Sequence, residues 1–204
     1  MSTRVVLATR NAGKIAELRA ILTDAGLDIE LVGVDAFAHL GDVAETEDSF
    51  AGNALLKART VSAATGLPAI ADDSGLSVDA LNGMPGIFSA RWAGRHGDDP
   101  ANLQLLLDQL TDVPDERRGA EFVCAAVFVD AGGAEVVCQE VMRGSIIRAP
   151  RGTNGFGYDP IFAFAGGPLT TAEMSSADKN AVSHRGKAFR ALAERLHEGP
   201  VALR

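Results

Sequence analysis

Short apolar runs alternate with longer amphipathic stretches along this chain, a pattern that predicts strands layered against helices. Arg4 to Ala8 reads as a first strand. Ile15, Leu18, Ile21 and Leu22 then share one face of a helix running from Lys14 to Ala25, and Gly26 stops it. Asp28 to Gly33 is a second strand, followed by an acidic loop from Asp35 to Asp48. Asp48 or Ser49 caps a long helix that ends at Thr65 before Gly66, with Phe50, Ala54, Leu55, Ala58 and Val61 as its apolar stripe. Leu67 to Ala71 is short and apolar, as a buried strand is, and Leu76 to Leu81 alternates as another. Gly83-Met84-Pro85-Gly86 is a turn, and Asp98-Asp99-Pro100 opens a helix whose buried face is Leu103, Leu106, Leu107 and Leu110. Ala120 to Val129 and Ala134 to Gly144 predict two long strands joined by the hairpin turn Asp130-Ala131-Gly132-Gly133. Thr170 to Lys179 is polar, and a last helix follows with Phe189, Leu192 and Leu196 as its stripe. No repeat, low-complexity tract or linker divides residues 1–204, so one domain is expected.

Composition narrows the classes of function. A formal net charge of -8 with no basic cluster argues against a binder of nucleic acid polymers. An anionic ligand would need a local basic site or a bridging metal. No apolar run approaches the roughly 20 residues of a membrane span, and the N-terminus lacks the regions of a signal peptide. With two cysteines, Cys124 and Cys138, a cytoplasmic protein with two reduced core thiols is expected. The cysteines lie nearly equidistant from the hairpin turn, which makes them candidate cross-strand neighbours.

Candidate chemistry falls in five stretches. Asp72-Asp73-Ser74-Gly75 follows the Leu67 to Ala71 strand, where strands of α/β folds open toward ligands. Alternation sends Asp72 and Asp73 to opposite faces, so one is expected to meet a ligand and the other to hold the loop. Taken alone, the stretch also reads as a plain polar turn. Thr9-Arg10-Asn11-Ala12-Gly13-Lys14 links a strand to a helix start, a geometry that aims backbone N–H groups at an anion, though without a Walker pattern. Lys57 lies four residues after Asn53 on a helix face that reaches a phosphate if it borders the ligand site, and is solvated if not. Phe88 to Gly94 carries the only Trp, and Pro150 to Phe162 combines three glycines with aromatic rings, including the only Tyr, suited to close backbone approach and base stacking. Ser183-His184-Arg185-Gly186-Lys187 precedes the last helix.

In this order and spacing, these stretches resemble the inosine triphosphate pyrophosphatase family, also called Ham1 or non-standard purine nucleoside triphosphate pyrophosphatases, and its bacterial branch in particular. The resemblance implies a mixed α/β fold with an elongated central sheet flanked by helices, two lobes with a nucleotide cleft between them, and a homodimer. It implies Mg²⁺-dependent hydrolysis of ITP, dITP and XTP to the monophosphate and pyrophosphate, which cleanses the nucleotide pool. By the same resemblance Thr9, Arg10, Asn11, Ala12, Gly13 and Lys14 contact the triphosphate. Asp73 is the proton acceptor and a metal ligand, Glu45 the second metal contact with Glu47 as its rival, and Ser74 touches substrate. Phe156, Gly157, Tyr158, Asp159, Lys179, His184 and Arg185 form the base pocket. Arg10 departs from the small or neutral residue usual there, and the acidic loop is short for the family.

Donors at His184, Arg185 and the backbone near Phe156 suit a 6-oxopurine and leave adenine unpaired, a mismatch able to discriminate by about 10⁴. Two other readings stand beside this one: a pyrophosphatase of another base preference, such as the Maf-like family, and a nucleotide-binding sensor without turnover.

Overall fold

The computed structural model describes residues 3–9, 12–26, 29–37 and 40–198, with the side chains of residues 12–14, 16 and 17 outside the description. A strand β1 (Thr3–Leu7) leads to helix α1 (Ala12–Asp24) and strand β2 (Ile29–Gly33). Helix α2 (Phe50–Thr65), strand β3 (Ala69–Val78), helix α3 (Asp99–Gln109), and strands β4 (Gly119–Val129), β5 (Glu135–Ile146) and β6 (Phe162–Phe164) follow. Helices α4 (Ser176–Val182) and α5 (His184–Glu198) complete the order. Among the described residues six strands form one sheet in the order β2-β1-β3-β4-β5-β6. β1 pairs in parallel with β2 and β3, while β5 and β6 pair antiparallel, so the sheet is mixed as expected.

The chain divides into two compact units. The first holds residues 1–73, 124–140 and 185–204, and the second holds 74–123 and 141–184. Each has its own apolar core. In the first, Val5 and Leu7 of β1, Leu18 and Leu22 of α1, Phe128 of β4, and Phe189 and Leu192 of α5 pack together. In the second, Leu76 and Val78 of β3 meet Leu106 and Leu110 of α3, Met142 and Phe162. The stripes read from helical periodicity on α1, α2, α3 and α5 are the faces buried here, because apolar residues at i, i+3 and i+4 lie on one side of a helix. Cys124 and Cys138 are buried in the first core and are not joined by a disulfide.

Local chemistry sets the boundaries of α2. Ser49 accepts a hydrogen bond from Gly52 N–H at the N-terminus, and Gly66 takes the left-handed conformation (φ 67°) that closes the C-terminus. The hairpin turn is held by Asp130, whose carboxylate accepts from Ala134 N–H at 2.8 Å.

Two expectations are corrected. Asp72-Asp73-Ser74-Gly75 is not a turn after a strand. It lies inside a single ten-residue strand, β3, that also contains the start of the stretch read as a separate strand from Leu76. Asp and Gly have low strand propensity, but membership of the sheet and cationic partners for the carboxylates override it. The polar stretch Thr170 to Lys179 also contains the start of α4, capped by Ser175, whose hydroxyl accepts from Asp178 N–H.

A buried charge also ties elements together in the second unit. Arg118 is 2 % exposed and donates to the carbonyls of Leu110 (2.6 Å) and Ile146 (2.7 Å), tying the end of α3 to the end of β5. Burial is the main cause of the lowering of its pKa.

Candidate active site

α2 and β3 bring a lysine and two carboxylates together in the first unit. Lys57 Nζ donates to Asp73 Oδ1 at 3.0 Å and to Glu45 Oε1 at 3.1 Å. Lys57 sits two turns into α2, and Asp73 lies mid-strand in β3. Glu45 comes from the loop before α2. The Lys57 face therefore borders other charged groups and is not a solvated surface.

The electrostatics of this cluster are unbalanced. Burial is the largest influence on Asp73 and pushes its carboxyl up. Lys57 pulls it back, but Glu45 and Asp72 add repulsion, and the outcome is a pKa of about 6 against an ordinary 3.8. Burial by itself would lower Lys57. The carboxylates of Asp73, Glu45 and Asp72 outweigh that effect, so its pKa is raised. One ammonium thus serves two carboxylates, and the excess negative charge favours a proton or a further cation.

Asp72 goes elsewhere. Its Oδ2 lies 3.5 Å from Arg185 Nε, with both side chains almost fully buried. Neighbouring carboxylates on β3 thus part to α2 and α5, as side-chain alternation along a strand requires.

In the second unit, the glycine-rich stretch is ordered around Asp159. Its Oδ2 accepts from Lys179 Nζ at 2.6 Å and from Phe156 N–H at 2.9 Å, and its Oδ1 accepts from Thr171 Oγ1 at 2.8 Å. Gly155 is required here: its φ is +78°, and a Cβ would run into the Asp159 carboxylate and come within 3.1 Å of Lys179 Nζ. Asp99 of α3 accepts from Gly157 N–H at 2.8 Å. Phe156 is 55 % exposed, with Lys179 Nζ 5.5 Å from its ring centre. Tyr158 is instead 5 % exposed, and its hydroxyl donates to the Ser89 carbonyl at 2.8 Å. Burial drives the Tyr158 hydroxyl pKa well above its usual value. His184, also buried, stacks on Phe122 with ring centres 5.0 Å apart.

Residues 5–195 match the profile of the Ham1 family. The chain belongs to the Ham1 family. It is 62% identical over 196 residues to a dITP/XTP pyrophosphatase of Streptomyces coelicolor, covering 96% of this chain and 98% of the relative. A Nocardia farcinica protein of the same name is 56% identical, over 95% and 94% of the two chains. Among solved structures, a HAM1 protein from Coxiella burnetii superposes with a TM-score of 0.89 at 42% identity, over 97% and 100% of the two chains. The nucleoside-triphosphatase / dITP/XTP pyrophosphatase of Mycobacterium abscessus gives 0.80 at 54% identity, over 93% and 97%.

Within this Ham1-family chain, the structure brings some expected site residues together and separates others. Asp73, Glu45 and Lys57 form one cluster, with Ser74 half-buried next to Asp73 on β3. Glu45 is the acidic-loop residue on the shared lysine, while the Glu47 side chain is exposed. Thr9 is half-buried after β1; Arg10 and Asn11 lie outside the described residues, as do the side chains of Ala12, Gly13 and Lys14. Phe156, Gly157, Asp159 and Lys179 cluster in the second unit, but not as a bare binding loop. The Tyr158 ring is packed in the core and offers no face for stacking. The backbone N–H groups of Phe156 and Gly157, read as donors to a base, are engaged by Asp159 and Asp99. Sequence reasoning missed Asp99 and Thr171, whose tasks depend on contacts 58 and 12 residues away. It noted Asn53 only as a neighbour of Lys57. Asn53 is fully buried, and its Oδ1 accepts from Glu47 N–H at 3.0 Å.

The donor set also bears on a metal. Among the described residues no trio of His, Cys, Asp or Glu gathers as a metal site. The pair Asp73 and Glu45 fits Mg²⁺, which takes hard oxygen donors and commonly binds through one or two carboxylates with phosphates and water. Among the described residues no helix is long and apolar enough to cross a membrane.

Proposed function

We propose that this chain is a Mg²⁺-dependent dITP/XTP pyrophosphatase that converts non-standard purine nucleoside triphosphates to the monophosphate and pyrophosphate, cleansing the nucleotide pool. The full-length 62% identity to the Streptomyces coelicolor dITP/XTP pyrophosphatase carries this reading. The raised carboxyl of Asp73 beside Lys57 and Glu45 supports it with chemistry.

Asp73 is the proton acceptor. With no metal on it, its pKa of about 6 leaves it ionised at neutral pH, yet more basic than an ordinary aspartate. It orients a water and takes its proton as the water oxygen adds to a phosphorus of the α–β anhydride. The bridging P–O bond breaks and pyrophosphate leaves. Asp73 and Glu45 would hold Mg²⁺, which when bound screens the triphosphate charge and acidifies water. Lys57 bridges the two carboxylates and adds positive charge for phosphate oxygens. Thr9 to Lys14 and Ser74 add phosphate contacts. Phe156 supplies an exposed ring for the base. Lys179, His184 and Arg185 supply donors that favour a 6-oxo group over an amino group. The reading carries with it a homodimer and a cytoplasmic place.

Pyrophosphate release with dITP, XTP, ATP and GTP, with and without Mg²⁺, tests the proposal. Turnover is expected with dITP and XTP, lost with a chelator, and far slower with ATP and GTP. Comparable rates on all four overturn the specificity, and no turnover leaves the nucleotide-sensor reading.

A further inference from the structure

We infer that Asn53, with Gly52, is a positioning residue that seats Glu45 beside Lys57 and Asp73; the inference rests on the proposed role of that cluster. Three contacts fold the acidic loop back over the first turn of α2. Ser49 Oγ accepts from Gly52 N–H at 3.2 Å, and Asn53 Oδ1 accepts from Glu47 N–H at 3.0 Å. The third is steric: a Cβ on Gly52 would lie 2.7 Å from Glu47 Cβ and 2.9 Å from Ser49 Oγ. Gly52 is helical, so its lack of a side chain serves this packing and not a left-handed turn. Only a glycine lets the loop pass so close.

The geometry explains why the loop is pinned here. Asn53 and Lys57 lie one helical turn apart on α2. Glu47 is anchored to the first, and Glu45, two residues upstream, reaches the second. Asn53 Nδ2 is buried with no hydrogen-bond partner among the described residues. A buried amide that leaves its donor idle is costly, and it is retained here where its acceptor fixes a neighbouring loop. A leucine has the same number of side-chain heavy atoms and cannot accept from Glu47 N–H.

Zero-length carbodiimide cross-linking reads the placement without metal or substrate. In the parent protein, Lys57 is expected to link to both Glu45 and Asp73. In Asn53→Leu and Gly52→Ala the 45–57 link falls several-fold relative to the 57–73 link. An unchanged ratio in the folded variants overturns the inference. Kinetics with dITP supply the second readout. Each variant is expected to lower kcat or raise the Mg²⁺ requirement by about 10-fold, as loss of a group supporting a metal ligand does, with KM for dITP little changed. In a Glu45→Gln background the same substitutions should add nothing, because the tether then holds no carboxylate. Full additivity to Glu45→Gln also overturns the inference. If the parent protein does not turn over dITP, the functional reading fails, and the cross-link ratio still decides the placement of Glu45.

Discussion

Asp73 in the first unit and Asp159 in the second each hold a lysine, at 3.0 and 2.6 Å, with all four side chains mostly buried. They differ in what else each carboxylate holds. Asp159 is filled by three donors, from Phe156 N–H in its own stretch, Thr171 and Lys179 of α4, and together they tie these segments in place. Asp73 accepts a side-chain hydrogen bond from Lys57 alone among the described residues, shares that lysine with Glu45, and has its pKa pushed up to about 6. A saturated carboxylate builds structure, while an under-compensated one can still take a proton or a cation. The same pair of side chains is a saturated rivet in one unit and an under-compensated pair, the candidate for chemistry, in the other.

The largest test of this contrast is Asp73→Asn. Turnover of dITP should fall by about 10³, within the range lost when a general base is removed, while the fold stays intact by circular dichroism. Near-parental activity would remove Asp73 from the chemistry.

Asp159→Ala should do the reverse. It strands the buried end of Lys179 and two further donors, so chemical unfolding should show a loss of about 3 kcal/mol. The Phe156 amide should also lose protection in hydrogen exchange. A variant as stable as the parent would mean that the network holds nothing.

A smaller effect tests the Asp73 carboxylate by pH. The folded pKa of Asp73 lies above its unfolded value, so the folded state binds the proton more tightly. Its contribution to stability is therefore present below about pH 4 and is lost as pH rises through about 6. With a chelator present, the parent should lose about 2–3 kcal/mol relative to Asp73→Asn between those limits, at about 1.4 kcal/mol per pKa unit. Parallel stability curves for the two proteins would show that Asp73 is not perturbed.

The smallest effect belongs to Arg59, whose guanidinium pairs with Glu135 at 2.6 Å on the surface. Arg59→Ala should change stability by no more than about 0.5 kcal/mol, because an exposed pair gains little over water. A larger loss would show that ion pairs outside the buried clusters also hold the fold, and would blunt the comparison.

Much of this organisation was legible in the chain. Helical periodicity located α1, α2, α3 and α5 with their buried faces, because 3.6-residue spacing and burial are local consequences of one another. Turn chemistry located the β4–β5 hairpin, and alternation separated Asp72 from Asp73 before their partners were known. The ordered set of weak motifs named the family. Tertiary structure decided the rest. Asp, Ser and Gly look like a turn because their local preferences say so, and only sheet pairing with cationic partners turns them into the middle of β3. Tyr158 and Phe156 are both aromatic residues of one glycine-rich stretch, yet one is a core plug and the other is exposed, a choice made by the second apolar core and the Ser89 carbonyl that accepts from the Tyr158 hydroxyl. That Glu45 and not Glu47 pairs with Lys57 goes with the path of the acidic loop, where Glu47 N–H donates to a buried asparagine. Sequence fixes which groups are available through local periodicity and composition. Which of them lose water, and which find a partner, is set by contacts between residues far apart in the chain.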